Sequence, residues 1–435
     1  MAGDDSPTAL PRMPSWANRN FQLLVSASFI SGLGNSGATI AAAYAVINDG
    51  GSATDVGLVA AARTLAMVVF LLVGGAIADR VSRQRVMVTA NTANALSQGL
   101  FALLVLTGHP PLWQMAALTA VGGTAQAFFS PASQGLVMST VEPAHAGKAF
   151  SVFRLATNGA NIGGAAVGGA LIAALGPGWV LAVDAAGFAV AAGLRARLSV
   201  KEVARAGGSG IVRDLREGWR EFVSRSWLWG IVVQFSVVNA MTNAGEAVYG
   251  PLVARDHLGG AGPWGLALAA GGVGTVAGGV LMIRWKPRRI LLTGTLGVFP
   301  LALPLIGLAL ALPLWALVLA MLGAGVAIEV FGVGWMVALH QEIPEDKMSR
   351  VSAYDWLGSI AVMPLGLALA GPAAAAFGRT QALWGAAALV VALTGAVLLL
   401  PDVRHLERRE GGAHTAASGA DDTAPRGAAE PVTPQ

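Results

Sequence analysis

Residues 74–86 read GGAIADRVSRQRV, and residues 278–290 read GGVLMIRWKPRRI. Each stretch runs from small and apolar residues into a basic turn, and another apolar run follows it. A second gapless alignment places residues 148–176 on residues 350–378, and both of these segments begin with a basic residue and close with a glycine. The chain therefore consists of two related halves.

The composition excludes most classes of soluble protein. Hydrophobic residues make up 54% of the 435 residues and charged residues only 12%, whereas a soluble domain carries about 25% charged residues. So few charges cannot cover a soluble protein of this length, and we expect much of the apolar surface to face lipid. The chain has no cysteine, which excludes a disulfide scaffold, a thiolate metal site and a cysteine nucleophile.

Long apolar runs recur along the whole chain, separated by short charged or Pro/Gly-rich breaks. A membrane-spanning helix needs about 20 mostly apolar residues. The sequence predicts an all-α integral membrane protein with twelve transmembrane helices in two six-helix bundles. The predicted spans are 20–47, 56–78, 86–107, 112–136, 149–175, 179–198, 228–252, 263–283, 289–310, 313–339, 351–377 and 380–400.

The same runs predict how the chain is organised. A cytoplasmic segment (1–19) precedes the first bundle (20–198), and a cytoplasmic linker (199–227) leads to the second bundle (228–400). Within the linker, apolar residues recur at helical spacing between charges, which predicts an amphipathic helix lying along the membrane interface. The tail (401–435) is rich in Ala, Gly, Thr and Pro, which is typical of disorder.

The basic residues are strongly one-sided. Segments on one predicted face of the membrane carry 24 of the 28 Lys and Arg residues, and those on the other face carry two. Because basic loops stay on the cytoplasmic side, both termini are predicted to be cytoplasmic. This sidedness also accounts for the net charge of +4, so the basic charge does not indicate a nucleic-acid partner.

Repeated six-helix halves are typical of secondary transporters, whose substrate site lies between the repeats. The sequence contains no G-x-x-x-x-G-K-[ST] phosphate loop, its histidines lack metal-ligand spacing, and no nucleophile with its base can be identified. We therefore predict a secondary active transporter that works by alternating access. It is expected to have no catalytic activity, no metal and no cofactor, with a proton gradient as its energy source.

Two motifs resemble the major facilitator superfamily. The segment Gly75-x-x-x-Asp79-Arg80-x-Ser82-Arg83-Gln84-Arg85 resembles its loop 2–3 signature, with Ser82 where the family usually has glycine. Residues 164–169 (GAAVGG) are similar to the G-P-x-x-G-G of its antiporter branch, with Ala165 in place of proline. Residues 183–188 (VDAAGF) and the Trp-rich run before span seven further resemble the enterobactin-exporter and macrolide-efflux group.

The resemblance implies drug:proton antiport, that is, proton-coupled efflux of a small amphipathic compound such as a drug, an antibiotic or a siderophore-like metabolite. It implies a monomer in the plasma membrane whose partners are the substrate, protons and lipid. Nothing physical in the sequence determines the direction of transport. A proton-coupled importer of a small nutrient and a non-transporting membrane receptor therefore stay open as alternatives.

The loop signature suggests a latch between the halves. Asp79 ends span two, and the partly positive N-terminus of a neighbouring helix can donate hydrogen bonds to its carboxylate. We hypothesise that Asp79 contacts the start of span eleven on the inner side, while Arg80 and Arg83 hold the loop on the anionic leaflet and Gly75 completes the motif. Alternatively, Asp79 only helps to set topology.

Ionisable residues inside spans are costly and are functional candidates by default. By their depth in the spans, Arg63 and Glu246 lie toward the outer side, and Arg154 and Glu329 lie toward the inner side. This pattern predicts two ion-paired gates, with Glu246 and Glu329 as proton sites. In the alternative, each charge is satisfied within its own half. We interpret Asp184, near the outer end of span six, as a structural acid.

Amide side chains inside spans either contact a substrate or join helices. The substrate-cavity candidates are Asn35, Gln126, Gln234, Asn239 and Asn243. The glycines Gly164, Gly168 and Gly169 form a predicted helix-packing motif, because small residues let two helix backbones approach closely.

Overall fold

The computed structural model describes residues 16–78, 81–199 and 211–408. All regular secondary structure in these ranges is helical. The helices before residue 200 are α1 (Arg19–Asn48), α2 (Ala53–Ala78), α3 (Arg83–Thr107), α4 (Leu112–Ser139), α5 (Ala146–Leu175) and α6 (Pro177–Ala196).

The helices after residue 210 are more broken. Two π-helical turns, Gly245–Tyr249 and Ala254–Leu258, flank α9, and a 3-10 turn, Phe299–Leu301, separates α11 from α12. The helices are α7 (Ile211–Val223), α8 (Ser226–Ala244), α9 (Gly250–Val253), α10 (Ala261–Arg284), α11 (Ile290–Leu296), α12 (Ala302–Ala309), α13 (Leu314–Glu342), α14 (Glu345–Ile360), α15 (Met363–Phe377), α16 (Arg379–Val397) and α17 (Pro401–His405).

Helical structure occupies every predicted span, with some differences in extent. The seventh runs on to Leu258, and the eleventh begins at Glu345. Pro300 and Pro364 stand at the breaks in the ninth and eleventh, where a proline removes a backbone donor. Within the described ranges, nine helices are long and apolar enough to cross a membrane.

The helices pack in two groups that meet along two seams. In the first group, α1 packs on α5 and α6, α2 packs on α4, and α3 packs on α4 and α6. In the second group, α10 packs on α13, α8 packs on α14, α15 and α16, and α12 packs on α16. The seams between the groups are α2 against α15 and α5 against α10.

Two glycines show that the sequence repeat extends to backbone conformation. Gly176 is the single residue between α5 and α6, and Gly378 is the single residue between α15 and α16. Their φ angles are +89° and +86°, in the left-handed region that glycine enters without steric cost. These are the two glycines that the alignment of residues 148–176 with 350–378 places on each other.

The two groups approach each other closely at one end of the molecule. We call this the Gly50 end, because it contains Gly50, Gly176 and Gly378; the opposite end, where α1 begins, is the Arg19 end. A Cβ atom at Gly371 of α15 would overlap Thr54 of α2.

The groups also approach closely at the α5–α10 seam, and a hydrogen bond joins them at the same end. A Cβ atom at Gly169 of α5 would lie 2.5 Å from the carbonyl oxygen of Ala261, at the start of α10. The Tyr44 hydroxyl of α1 donates a hydrogen bond of 3.2 Å to the Pro251 carbonyl of α9. The structure is therefore closed between the groups at the Gly50 end.

The linker helix α7 packs on the second group. Glu217 forms an ion pair of 2.8 Å with Arg350 of α14, and Glu221 forms one of 2.9 Å with Lys347. The rings of Trp219 and Phe222 lie 5.5 and 6.1 Å from the ring of Tyr354. The predicted amphipathic helix is thus attached to the start of α14 through ion pairs and aromatic contacts.

The predicted disordered tail begins too early. Residues 401–405 form α17, because Val403 is fully buried and the Asp402 carboxylate accepts a 2.5 Å hydrogen bond from the Ser226 hydroxyl. The predicted first span and the helix that forms it differ by one residue at each end. Residues 409–435 lie outside the described ranges.

Removing the Glu221 carboxylate is expected to weaken the attachment of α7. The hydrogen bond from Lys347, helped by Arg225, holds the pKa of Glu221 below its usual value. Glu221→Gln should lower the free energy of unfolding by about 1 kcal/mol at pH 7. Because the folded-state pKa is lowered, this difference exists above the ordinary glutamate pKa and disappears as the pH falls through the lowered value.

Thermal unfolding of the purified protein, followed by tryptophan fluorescence at several pH values, measures this difference. Glu142→Gln, which changes an exposed acid between α4 and α5, is the matched control and should unfold like the wild type. A Glu221→Gln protein with the wild-type midpoint at pH 7 would contradict the attachment.

Candidate functional site

A polar cavity of about 350 Å³ lies inside the first group of helices. We call it the first cavity. Two predicted cavity residues, Asn35 of α1 and Gln126 of α4, line it, together with Ser28, Asn91 and Asn161. None of the described residues that line it is acidic. It therefore offers amides, hydroxyls and aromatic rings, but no carboxylate.

A second cavity, of about 250 Å³, lies inside the second group between α8, α10, α12 and α13. Asn239, Asn243 and Glu246, all predicted site residues, line this second cavity. Asn239 also donates a 3.0 Å hydrogen bond to the Ser359 carbonyl near the end of α14. It therefore joins two helices as well as facing the cavity.

Gln234 does not line either cavity. Its side chain is 1% exposed and donates a 2.9 Å hydrogen bond to the Thr394 hydroxyl of α16. The prediction of a cavity role for Gln234 differs from the structure, because this amide meets the neighbouring helix α16 instead. Its role is to join α8 to α16.

Glu246 occupies a distinctive backbone position. It lies in the π-helical turn Gly245–Tyr249, which interrupts the regular helix between α8 and α9. Such turns are rare and frequently occur at functional sites. Its side chain is exposed at the second cavity and has no hydrogen-bond or ion-pair partner among the described residues. An acid is thus presented to a cavity within a predicted span.

Arg63 is bound within its own group. Its guanidinium donates hydrogen bonds to the side chains of Asn35 (2.8 Å) and Thr39 (3.3 Å), both on α1. Within the described ranges no ion pair joins Arg63 to Glu246. The structure is closed at the Gly50 end without this pair, and Arg63, unlike Glu246, is bonded within its own half.

Asp184 is an acid that interacts electrostatically with Arg63. It is fully buried on α6, and its electrostatic interaction is with Arg63. A Cβ atom at Gly34 of α1 would lie only 2.6 Å from its Oδ1 atom. The glycine therefore makes room for this acid, in keeping with its interpretation as a structural acid.

Arg154 and Glu329 are apart in this structure. Arg154 is exposed on α5, whereas Glu329 of α13 packs on Gly278 of α10, where an added Cβ would lie 2.9 Å from that of Glu329. Among the described residues no ion pair joins them. Both lie toward the Arg19 end, away from the close contacts between the groups, so their pairing stays a prediction for the opposite state.

A sequence profile of the Major Facilitator Superfamily matches residues 24–357. The chain belongs to the major facilitator superfamily. The resemblance drawn from its motifs is thereby confirmed, and the protein is a membrane transporter of this superfamily rather than a member of an enzyme family.

Relatives and solved structures agree with this assignment. The chain is 29% identical over 418 residues to the multidrug efflux pump Tap of Mycolicibacterium fortuitum, covering 88% of this chain and 96% of that protein. It is similar to the crystal structure of the nucleoside transporter NupG, with a TM-score of 0.67, 14% identity and coverage of 88% of this chain and 98% of that one.

A third comparison also concerns the fold. A bacterial homologue of the human lysosomal transporter Spinster, solved in an inward-facing and unoccupied conformation, matches with a TM-score of 0.66, 14% identity and coverage of 90% and 98%. At these identities the two solved structures show the superfamily fold alone.

The superfamily loop signature is only partly described. Asp79 and Arg80 lie outside the described residues, Gly75 falls in α2, and Arg83 is the first residue of α3. Ser82, which departs from the usual glycine, caps α3 by accepting a hydrogen bond from the Arg85 backbone N–H. The contact between Asp79 and the start of span eleven therefore stays a prediction. The start of α14, which belongs to that span, is in contact with the linker helix α7.

Residues 164–169, which resemble the glycine motif of the antiporter branch, place their glycines on two faces of α5. A Cβ atom at Gly164 or Gly168 would overlap Leu33 or Gly37 of α1, and one at Gly169 would lie 2.9 Å from the Cα atom of Gly265 on α10. The motif therefore packs α5 on its own group and on the other group at once.

Two ionisable residues were missed as site candidates. Arg195, counted among the cytoplasmic basic residues, lies in the last turn of α6 and is fully buried. Asp355 of α14 accepts a 3.0 Å hydrogen bond from the Trp335 indole N–H. Arg195 lies inside the predicted span 179–198, and Asp355 lies inside the predicted span 351–377. Their positions within these spans could therefore have identified them as candidates.

Proposed function

We propose that this transporter is a proton-coupled exporter of small amphipathic compounds that works by alternating access. In this proposal it is a monomer in the plasma membrane, uses the proton gradient and needs no cofactor. The likeness to a protein named a multidrug efflux pump supports export.

In this proposal the chain crosses the membrane twelve times, and the Arg19 end is cytoplasmic. The one-sided distribution of Lys and Arg supports this orientation. The closed Gly50 end then faces outward, so the structure corresponds to a state closed to the outside. The bundles formed by residues 20–198 and 228–400 rock about the α2–α15 and α5–α10 seams, exposing the two cavities to alternate sides.

One observation carries the proposal of proton coupling, namely Glu246 on its π-helical turn. Ionisable side chains within spans mark proton and substrate pathways. Glu246 faces the second cavity, where both a proton and a cationic substrate group can reach its carboxylate. Competition between the two for one acid is a direct way to exchange a proton for a substrate.

Purified protein in liposomes tests this function. With an acidic interior, proton exit is expected to drive accumulation of rhodamine 123, an amphipathic cationic dye, above the level in protein-free liposomes. Nigericin, which collapses the pH gradient, should abolish the difference. Uptake only with an acidic exterior would favour the importer, and dye binding without any uptake would favour the receptor.

A further inference from the structure

Arg195 points in an unexpected direction. A long basic side chain near a helix end usually extends to the membrane interface and keeps its charge in water. Arg195 instead reaches Ser28 in the first half of α1, and its Cζ atom lies 4.7 Å from the ring centroid of Phe129 on α4. Its guanidinium is thus held inside the first group, where a charge is costly.

The contacts of Arg195 within the described part of the chain leave two of its guanidinium nitrogens without a hydrogen bond. Nη2 donates a 2.9 Å hydrogen bond to the Ser28 hydroxyl, but Nε and Nη1 have no partner among the described residues. No described acid forms an ion pair with it. A buried cation with unused donors and no counter-charge calls for a negative group nearby.

Ser28 and Phe129 connect Arg195 to the first cavity, because both residues line it. Since the Ser28 oxygen accepts from Arg195, its own O–H is free to donate, and the structure gives it no acceptor among the described residues. Asn91, also a lining residue, is 1% exposed, and its Nδ2 amide has no partner in the described part of the chain. Two unused donors therefore meet at one cavity.

Two lining residues of the first cavity are bonded to basic side chains. Arg195 lies behind Ser28, and Arg63 is bonded to Asn35, another lining residue. Asp184 is the acid that interacts with Arg63, and it is not among the described lining residues, none of which is acidic. The first cavity therefore has two unused donors with a basic side chain behind them, whereas the second cavity contains the acid Glu246.

We propose that the first cavity binds the carboxylate of a transported compound, with Ser28 and Asn91 as donors and the Arg195 charge behind them. This inference rests on the proposed export function and narrows its substrate class. Compounds that carry both a carboxylate and a cationic group suit the two cavities together, because Glu246 faces the second one.

A matched pair of dyes isolates the carboxylate. Rhodamine 110 carries a free carboxylate, and rhodamine 123 is the methyl ester of the same dye. We expect the purified protein to bind rhodamine 110 about tenfold more tightly than rhodamine 123, as measured by fluorescence anisotropy. A tenfold difference corresponds to about one hydrogen bond to a charged group. Equal or weaker binding of rhodamine 110 would overturn the inference.

Two variants locate the effect. Ser28→Ala and Arg195→Gln should each abolish the preference for rhodamine 110 over rhodamine 123. If Arg195→Gln does not fold, Ser28→Ala decides alone. Thr64→Val is the control, because Thr64 is similarly buried (9% against 6% exposed) and its hydroxyl donates to the Ala60 carbonyl of its own helix.

The outcomes for binding and for transport are separable. If Ser28→Ala retains the full preference for rhodamine 110, the first cavity does not bind the carboxylate and the inference fails. If the preference is present and is lost in Ser28→Ala, but neither dye crosses the liposome membrane, the carboxylate site stands and the proposed export function falls.

Discussion

Glu246→Gln is expected to reduce dye uptake driven by the pH gradient roughly a hundredfold. A positioned proton-transfer group typically contributes a rate factor of about this size. Glutamine keeps the shape of the side chain and its place on the π-helical turn Gly245–Tyr249, but it cannot exchange a proton. Uptake with an acidic liposome interior should then fall to the level of protein-free liposomes.

The control for Glu246→Gln is Glu142→Gln, which removes an exposed acid outside the predicted spans and should transport like the wild type. Exchange of dye for dye, which needs no net proton movement, separates coupling from folding and should persist in Glu246→Gln. Full gradient-driven uptake in this variant would show that another group carries the proton.

Gly371→Val is expected to open the Gly50 end. The added side chain would meet the backbone of Thr54 on α2, and backbone cannot yield as a flexible side chain can. Overpacking of this kind costs about 1–3 kcal/mol, and that cost falls on the closed state alone. The population should therefore shift about tenfold or more toward the state that is open at this end.

A cysteine at Val248 reports this shift, because the chain has no native cysteine and Val248 is fully buried near Gly57 of α2. Labelling by a membrane-impermeant maleimide should be slow in Val248→Cys alone and about tenfold faster with Gly371→Val added. Gly385→Val is the control, since a Cβ atom at Gly385 meets no other atom. Equal labelling rates in all three proteins would contradict the closure.

The helices and the repeat could be read from the sequence because both depend on patterns along the chain. Apolar length determines where a helix can cross lipid, and the repeat places Gly176 on Gly378, two glycines that both adopt the left-handed conformation. The polar residues Asn35, Gln126, Asn239 and Asn243 were also recognised as cavity candidates, and they line the two cavities.

Side-chain partners could not be read in the same way. Depth along a span does not reveal which face of a helix a residue occupies, so Arg63 was matched with Glu246 although it bonds to Asn35 in its own group. Arg195 looked like a cytoplasmic residue because its direction depends on Ser28 and Phe129, which are remote in sequence. The π-helical turn at Glu246 has no sequence signature that periodicity detects.

The one-residue joints at Gly176 and Gly378 have a mechanical consequence. A connection that short has no slack, so α5 cannot tilt or slide without carrying α6 along, and the pair acts as one stiff lever. One arm of this lever, α5, touches α10 of the other group, and the other arm, α6, carries Asp184 and Arg195. In the proposed alternating access, any tilt of α5 at the α5–α10 seam would therefore carry Asp184 and Arg195, two buried charges, with it.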